Sequence, residues 1–164
     1  MATPKIHAVG VVIDKITNSI EHVESGQSYE THISQLSTNE LGQIKKSKWL
    51  FDWKAEILAP DRNVYKLIAE EHPSVVQGLL SISDKRDHIF LNLIESSKEN
   101  RGGGKVNAGV PANLFAFACK RSFESGYEGV VAFTSKTKLV DHYVQNFGAE
   151  ILRGNDLYIG TKAS

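Results

Sequence analysis

The segment from His88 to Ala149 constrains the fold of this chain more than any other. His88-Ile-Phe-Leu-Asn-Leu-Ile94 has the β-branched and aromatic content of a strand and runs into a Gly-rich basic loop, Asn100-Arg-Gly-Gly-Gly-Lys105. Pro111 to Ser125 has helical spacing, with Leu114, Phe115, Phe117, Ala118, Cys119, Ser122 and Phe123 forming a wide apolar face. Pro111 suits a first helical turn, where its missing N–H is not needed. Gly126 stands where a glycine ends a helix. Val130-Val-Ala-Phe133 is a second strand, and Lys136 to Asn146 a second helix burying Leu139, Val140 and Tyr143 or Phe147. A strand, a helix and a strand in this order form a β-α-β crossover, which pairs its strands in parallel. A Gly-rich loop feeding a helix start offers free backbone N–H groups and the positive end of a helix dipole, a natural seat for phosphate.

The chain has 164 residues, which is long enough for one domain with its own core. Its 19 basic and 19 acidic residues balance. That balance leaves no overall electrostatic footprint for nucleic acid or an anionic membrane. The single cysteine, Cys119, excludes an internal disulfide and fits a reducing compartment. It sits within the apolar helix face, which favours an inert core thiol over a nucleophile. Met1-Ala-Thr-Pro-Lys5 shows no leader pattern, and no apolar run approaches a membrane span. The expected location is cytoplasmic. The six histidines show no metal-ligand spacing, so no metal is expected.

The amino-terminal half is less patterned. Ile6-His-Ala-Val-Gly-Val-Val-Ile13 reads as a strand. Ser19–Glu24 and Tyr29–Ile33 flank Ser25-Gly26-Gln27-Ser28 and read as a hairpin. Thr38-Asn-Glu-Leu41 carries an N-cap signature for a short helix ending about Lys46. Trp49-Leu-Phe-Asp-Trp53 is dense enough in aromatics to pack on a sheet, and Ala59-Pro60-Asp61 breaks the chain. Val64–Ala69, Val75–Ile82 and His88–Ile94 then follow as an antiparallel meander. Glu150–Leu152 and Asp156–Ile159 read as two further strands. The expected class is α/β (α+β): a mixed, mostly antiparallel sheet with one parallel β-α-β crossover and helices on both faces.

This ordered set, over residues 75–161, resembles the GNAT superfamily of acetyl-CoA-dependent N-acetyltransferases. The matching parts are Leu91–Glu95, the loop from Glu99 to Val110, Pro111–Ser125 with Gly126-Tyr127, Gly129–Thr134, and Val140–Phe147 with Gly148-Ala149. The resemblance implies one GNAT-like domain over residues 1–164, with an atypical part over about 1–60. It also implies acetyl-CoA as co-substrate and acetyl transfer to an amine. In the family the loop reads Gln/Arg-x-x-Gly-x-Gly/Ala. The corresponding window here is Val106 to Pro111, in which Gly109 matches and Val106 and Pro111 do not. Arg101-Gly-Gly-Gly-Lys105 comes several residues earlier, which implies an expanded loop.

By that resemblance, Leu93, Ile94 and Glu95 would bond the pantetheine arm through their backbone. Arg101, Gly102, Gly103, Gly104, Lys105, Gly109 and Val110, with Lys136, would hold the phosphates. Glu95 would serve as base, and Tyr143 would protonate the thiolate, although by strict count the family position falls on Val144. Each residue has a plainer alternative: a solvated turn for Arg101–Lys105, a structural carboxylate for Glu95, core packing for Tyr143. The acceptor would be a small-molecule or peptide amine, the state a monomer or homodimer. Membrane is not expected as a partner, nor nucleic acid, with a tRNA-borne amine left open. A rival reading is a GNAT-fold module that binds coenzyme A or a protein and does not catalyse.

Overall fold

The computed structural model describes residues 19–101, 104–134, 150–153 and 156–159. The strand expected over Ile6–Ile13, Gly102, Gly103, and the second helix with Lys136 and Tyr143 lie outside the described residues. The chain falls into two compact units, one built from Thr17–Ile82 and Leu93–Leu114, the other from Met1–Ile16, Ser83–Asn92 and Phe115–Ser164.

The first unit opens with the hairpin. β1 (Ser19–His22) pairs antiparallel with β2 (Ser28–Gln35), Ile20 opposite Tyr29. Gly26 takes φ +72, a left-handed conformation that a glycine adopts without penalty, and the Ser25 hydroxyl lies 2.7 Å from His22 Nδ1. β2 pairs with β3 (Asn63–Ala69), and β3 with β4 (Gly78–Asp84), both antiparallel. The first two strands of the expected meander therefore pair antiparallel, with β4 starting three residues later than Val75. Asn107–Ala108 forms a two-residue β6 on the far side of β1, where sequence alone suggested only loop. Within this unit the strands lie in the order β6-β1-β2-β3-β4.

Between β2 and β3 the chain departs from expectation. The helix expected from Thr38 to Lys46 is a 3-10 helix over Thr38–Gln43, followed by a second over Lys46–Lys48. Its cap is Ser37: the Glu40 carboxylate accepts from the Ser37 N–H at 3.2 Å and also from Lys66 Nζ at 3.1 Å. These contacts hold the Glu40 carboxyl below its usual range, the Ser37 backbone bond being the largest cause. A true α-helix, α1 (Trp53–Leu58), was not foreseen. Asp52 caps it, accepting from the Ala55 N–H at 3.1 Å, and Arg62 pairs with Glu56. Trp53 is buried with Leu36, Val64 and Leu79, and Trp49, Phe51 and Leu93 pack around them. The aromatic segment is thus core of this unit.

In the second unit β7 (Val131–Thr134) runs parallel to β5 (Ile89–Ser96), with Ile89 opposite Val131 and Leu91 opposite Phe133. β9 (Asp156–Ile159) pairs antiparallel with β7, and β8 (Glu150–Arg153) with β9, giving the order β5-β7-β9-β8. The closing hairpin and the single parallel pair are both present. α2 (Val110–Glu124) carries the crossover, and the sheet is mixed and mostly antiparallel, as expected. β4, β5 and α2 each contribute residues to both units.

The end of α2 follows its local chemistry. Gly126 has φ +84, its N–H bonds the Phe123 carbonyl, and the Tyr127 N–H bonds the Ser122 carbonyl. This pair of bonds caps the last turn's free carbonyls. The Tyr127 hydroxyl donates to Asp84 Oδ1 at 2.6 Å, which holds the Asp84 carboxyl below its usual range and pushes the phenol up. Leu114, Phe115, Ala118, Cys119 and Ser122 are buried as expected. Phe123 is not: it is 51% exposed, because the buried stripe follows the spacing 114, 118, 122 with 115 and 119, and Phe123 falls to its edge. Burial pushes the Cys119 thiol up to about 12, so it stays protonated at neutral pH. Cys119 is therefore expected to resist thiol reagents in the native protein and to react stoichiometrically once unfolded. Fast labelling of folded protein would contradict this packing.

Candidate functional site

β5 ends in Leu93-Ile-Glu-Ser96, and all four residues lie beyond Leu91↔Phe133, the last parallel pair recorded with β7. Leu93 is half-buried, while Ile94, Glu95 and Ser96 are buried. Their apolar or compact side chains continue a buried strand, and the chemistry concentrates at Glu95.

The Glu95 side chain is 3% exposed, yet it carries a carboxylate. Its Oε1 accepts from the Trp53 indole N–H at 2.8 Å and the Phe51 N–H at 3.2 Å. Its Oε2 accepts from the Leu50 N–H at 2.7 Å and faces Arg101 Nη1 at 3.5 Å. Burying a charge is tolerable only when it is paired and hydrogen-bonded, and three N–H donors plus a guanidinium meet that condition. Glu95 thus joins the end of β5, the segment from Leu50 to Trp53 and the first residue of the Gly-rich loop. The base role expected from sequence meets a carboxylate whose acceptor positions already hold protein donors.

The loop after β5 rests on a buried amide cluster that pattern reading missed. Asn100 Nδ2 donates to Gln77 Oε1 at 2.7 Å and Ser97 Oγ at 2.9 Å, and Asn100 Oδ1 accepts from the Asn107 N–H at 3.0 Å. Asn107 Nδ2 reaches the same Gln77 oxygen at 3.2 Å. Ser97 N donates to the Gln77 carbonyl and Val106 N to the Glu99 carbonyl, so the loop is closed at its base. Gly104 and Lys105 stand exposed on the closed loop, and Arg101 is partly exposed. The visible signal was two asparagines flanking the Gly run. Gln77, distant in sequence, carried none.

Gly109 leads into α2 with φ +96, a backbone that only glycine adopts without strain. Asn113 fixes this entry: its Nδ2 donates to the Ser19 carbonyl at 2.7 Å and the Gly109 carbonyl at 2.8 Å, while its Oδ1 accepts from the Thr31 hydroxyl. Val110 is fully buried, and its side chain meets the space above Gly78. The structure therefore brings Glu95 and Arg101 together and places Lys105 and Gly109 on one short loop. Among the described residues no group of His, Cys, Asp and Glu could hold a metal, and no helix is long and apolar enough to cross a membrane.

A buried central strand, a glycine-rich loop, a capped helix and a strand returning parallel are the framework on which known structures can be compared. No protein-family model and no curated protein sequence matches the chain. Solved structures do. The aminoglycoside acetyltransferase AAC(6′)-Iy, bound to a bisubstrate analogue of coenzyme A, aligns with TM-score 0.55 over 76% of this chain and 94% of its own, at 17% identity. PaiA N-acetyltransferase from Thermoplasma acidophilum, in complex with coenzyme A, aligns with TM-score 0.55 over 79% and 96%, at 14% identity. A GNAT-family acetyltransferase from Staphylococcus aureus aligns with TM-score 0.54 over 80% and 99%, at 11% identity. The chain has the GNAT acetyltransferase fold. The sequence resemblance spanned residues 75–161, which include β5, the Gly-rich loop and α2. The similar structures also include the KacTA–DNA complex, with TM-score 0.56 and 13% identity.

Proposed function

We propose that this protein is an acetyltransferase that takes its acetyl group from acetyl-CoA and passes it to an amine. The carrying observation is the loop after β5. It is closed at its base by the Gln77–Asn100–Asn107 cluster, bears exposed Lys105, and enters a fifteen-residue helix through a left-handed Gly109. A backbone turn of this kind ahead of a helix N-terminus presents N–H groups and positive potential to a diphosphate, and Lys105 adds a cation. Arg101, Gly104, Lys105, Gly109 and Val110 belong to the proposed phosphate seat, together with Gly102, Gly103 and Lys136. The backbone of Leu93, Ile94 and Glu95 would take the pantetheine arm as an added strand takes its neighbour.

The chemistry is direct attack of a neutral amine nitrogen on the thioester carbonyl. The carbon–nitrogen bond forms, the carbon–sulfur bond breaks, and the amine proton and the thiolate charge end as a protonated thiol. Orientation of the two substrates supplies much of the rate. Tyr143 remains the proposed proton donor. The coenzyme A and aminoglycoside ligands of the similar structures support this class of cofactor and acceptor. A small-molecule or peptide amine is the acceptor proposed here, and the cytoplasm the location.

Acetyl-CoA is expected to raise the melting temperature, because a ligand that binds only the native state stabilises it by RT ln(1 + [L]/Kd). At a hundredfold excess over Kd the gain is about 2.7 kcal/mol. An unchanged melting temperature at millimolar acetyl-CoA would overturn the proposal. Binding without acetyl transfer to any member of a broad amine panel would favour a non-catalytic coenzyme A-binding module.

A further inference from the structure

We propose that Glu95 is a positioning residue that links the cofactor loop to the aromatic segment from Leu50 to Trp53, with Arg101 as the movable contact between them. The inference rests on the reading that the loop after β5 holds acetyl-CoA. An ionised carboxylate has about four lone-pair positions. Three are taken by the N–H groups of Leu50, Phe51 and Trp53, at 2.7, 3.2 and 2.8 Å. Arg101 stands at the fourth, at 3.5 Å. The first three are ordinary hydrogen bonds, whereas the last is longer than hydrogen-bond range. Three of the four positions are thus held by protein N–H groups, and the carboxylate serves as an anchor for the segment from Leu50 to Trp53.

The asymmetry has a consequence for Arg101. Its side chain is 29% exposed, against 3% for Glu95, and it opens the Gly-rich loop. A guanidinium carries five N–H donors and prefers a bidentate partner such as phosphate. A diphosphate held in the loop competes for Arg101 and wins, because the existing contact is long and the new one is short and doubly charged. Glu95 then directs its whole charge to the three donors between Leu50 and Trp53, and those bonds tighten. Occupancy of the loop is thereby transmitted to the aromatic segment, which orders it after acetyl-CoA has bound.

The chain holds two tryptophans, Trp49 and Trp53, and the second donates to Glu95. In a Trp49→Phe background the emission reports Trp53 alone. Acetyl-CoA titrated into this protein should change that emission with the same midpoint as the heat of binding. Arg101→Met should fold, being partly exposed, and should weaken acetyl-CoA binding by roughly tenfold or more, the scale of one lost charge-assisted contact. It should also abolish the emission change. Glu95→Gln should bind acetyl-CoA at least as tightly as the parent, because Arg101 is released from its competitor, and should show little emission change. A merely structural Glu95 would weaken binding on substitution. Heat of binding with no emission change in the parent overturns the inference and leaves the cofactor reading intact. Unaltered binding and emission in Arg101→Met overturn it as well, even if Glu95→Gln does not fold. No heat at all in the folded parent overturns the cofactor reading itself.

Discussion

Gly78→Ala is expected to lower stability by about 1–3 kcal/mol, the usual cost of forcing one methyl group into a filled core. A Cβ at Gly78 would sit 2.6 Å from Val110 Cγ1, 3.0 Å from Leu114 Cδ1 and 3.3 Å from the Glu95 carbonyl oxygen. None of these can give way cheaply. Val110 and Leu114 are fully buried, the Glu95 oxygen is backbone, and β4 is held by β3 through Leu67↔Gly78. The first turn of α2 must lift, and it carries the loop with it. Urea denaturation should show a lower midpoint at unchanged slope. Adding Val110→Ala should recover part of the loss, since the two substitutions share one space. Acetyl-CoA affinity should fall in Gly78→Ala through the displaced helix start. Parent stability in Gly78→Ala would mean that β4 and α2 are not packed this closely.

The second large effect is expected at Glu95→Ala. The change leaves the Leu50, Phe51 and Trp53 N–H groups and the Arg101 guanidinium without their acceptor. A buried donor left unsatisfied costs about 1–3 kcal/mol, and the Trp53 indole N–H is buried, whereas Arg101 is partly exposed and can turn to water. The loss should be about 3 kcal/mol, the upper end of that range, because three donors lose one acceptor together, and be read as an early urea transition, with Trp53 fluorescence reporting the released indole. Glu95→Gln should cost less, because its amide oxygen still accepts from one or two of the donors. Equal stability of Glu95→Ala and the parent would contradict the carboxylate's role as an anchor.

The two substitutions mark where sequence reading stopped. The β5 strand, the α2 helix with its Gly126 end, the parallel return of β7 and the β8–β9 hairpin were all legible, because each is written in local terms: period, caps, turn residues. α1 was missed although Asp52 caps it and Pro60 follows it, since six residues give too little period to count. The helix expected over Thr38–Lys46 is two short 3-10 helices, Thr38–Gln43 and Lys46–Lys48, although the Ser37–Glu40 capping box is present. β6 could not be foreseen, as two residues of strand have no pattern of their own.

The site divides in the same way. Glu95, Arg101, Lys105 and Gly109 stood out by residue type and by position between a strand and a helix. What Glu95 does with its charge did not, because its three N–H donors lie 42 to 45 residues away along the chain. The same holds for Gln77, which meets Asn100 and Asn107 from 23 and 30 residues away. By itself the sequence determined the order of strand, glycine-rich loop, helix and strand from His88 to Phe133, and that the loop meets a helix start. Only the tertiary structure decided that a buried carboxylate binds the aromatic segment, that Arg101 is its fourth partner, and that β4 touches α2 at a glycine. Local conformation depends on near neighbours in the chain. Burial, ion pairing and close approach depend on which distant residues the sheet brings together.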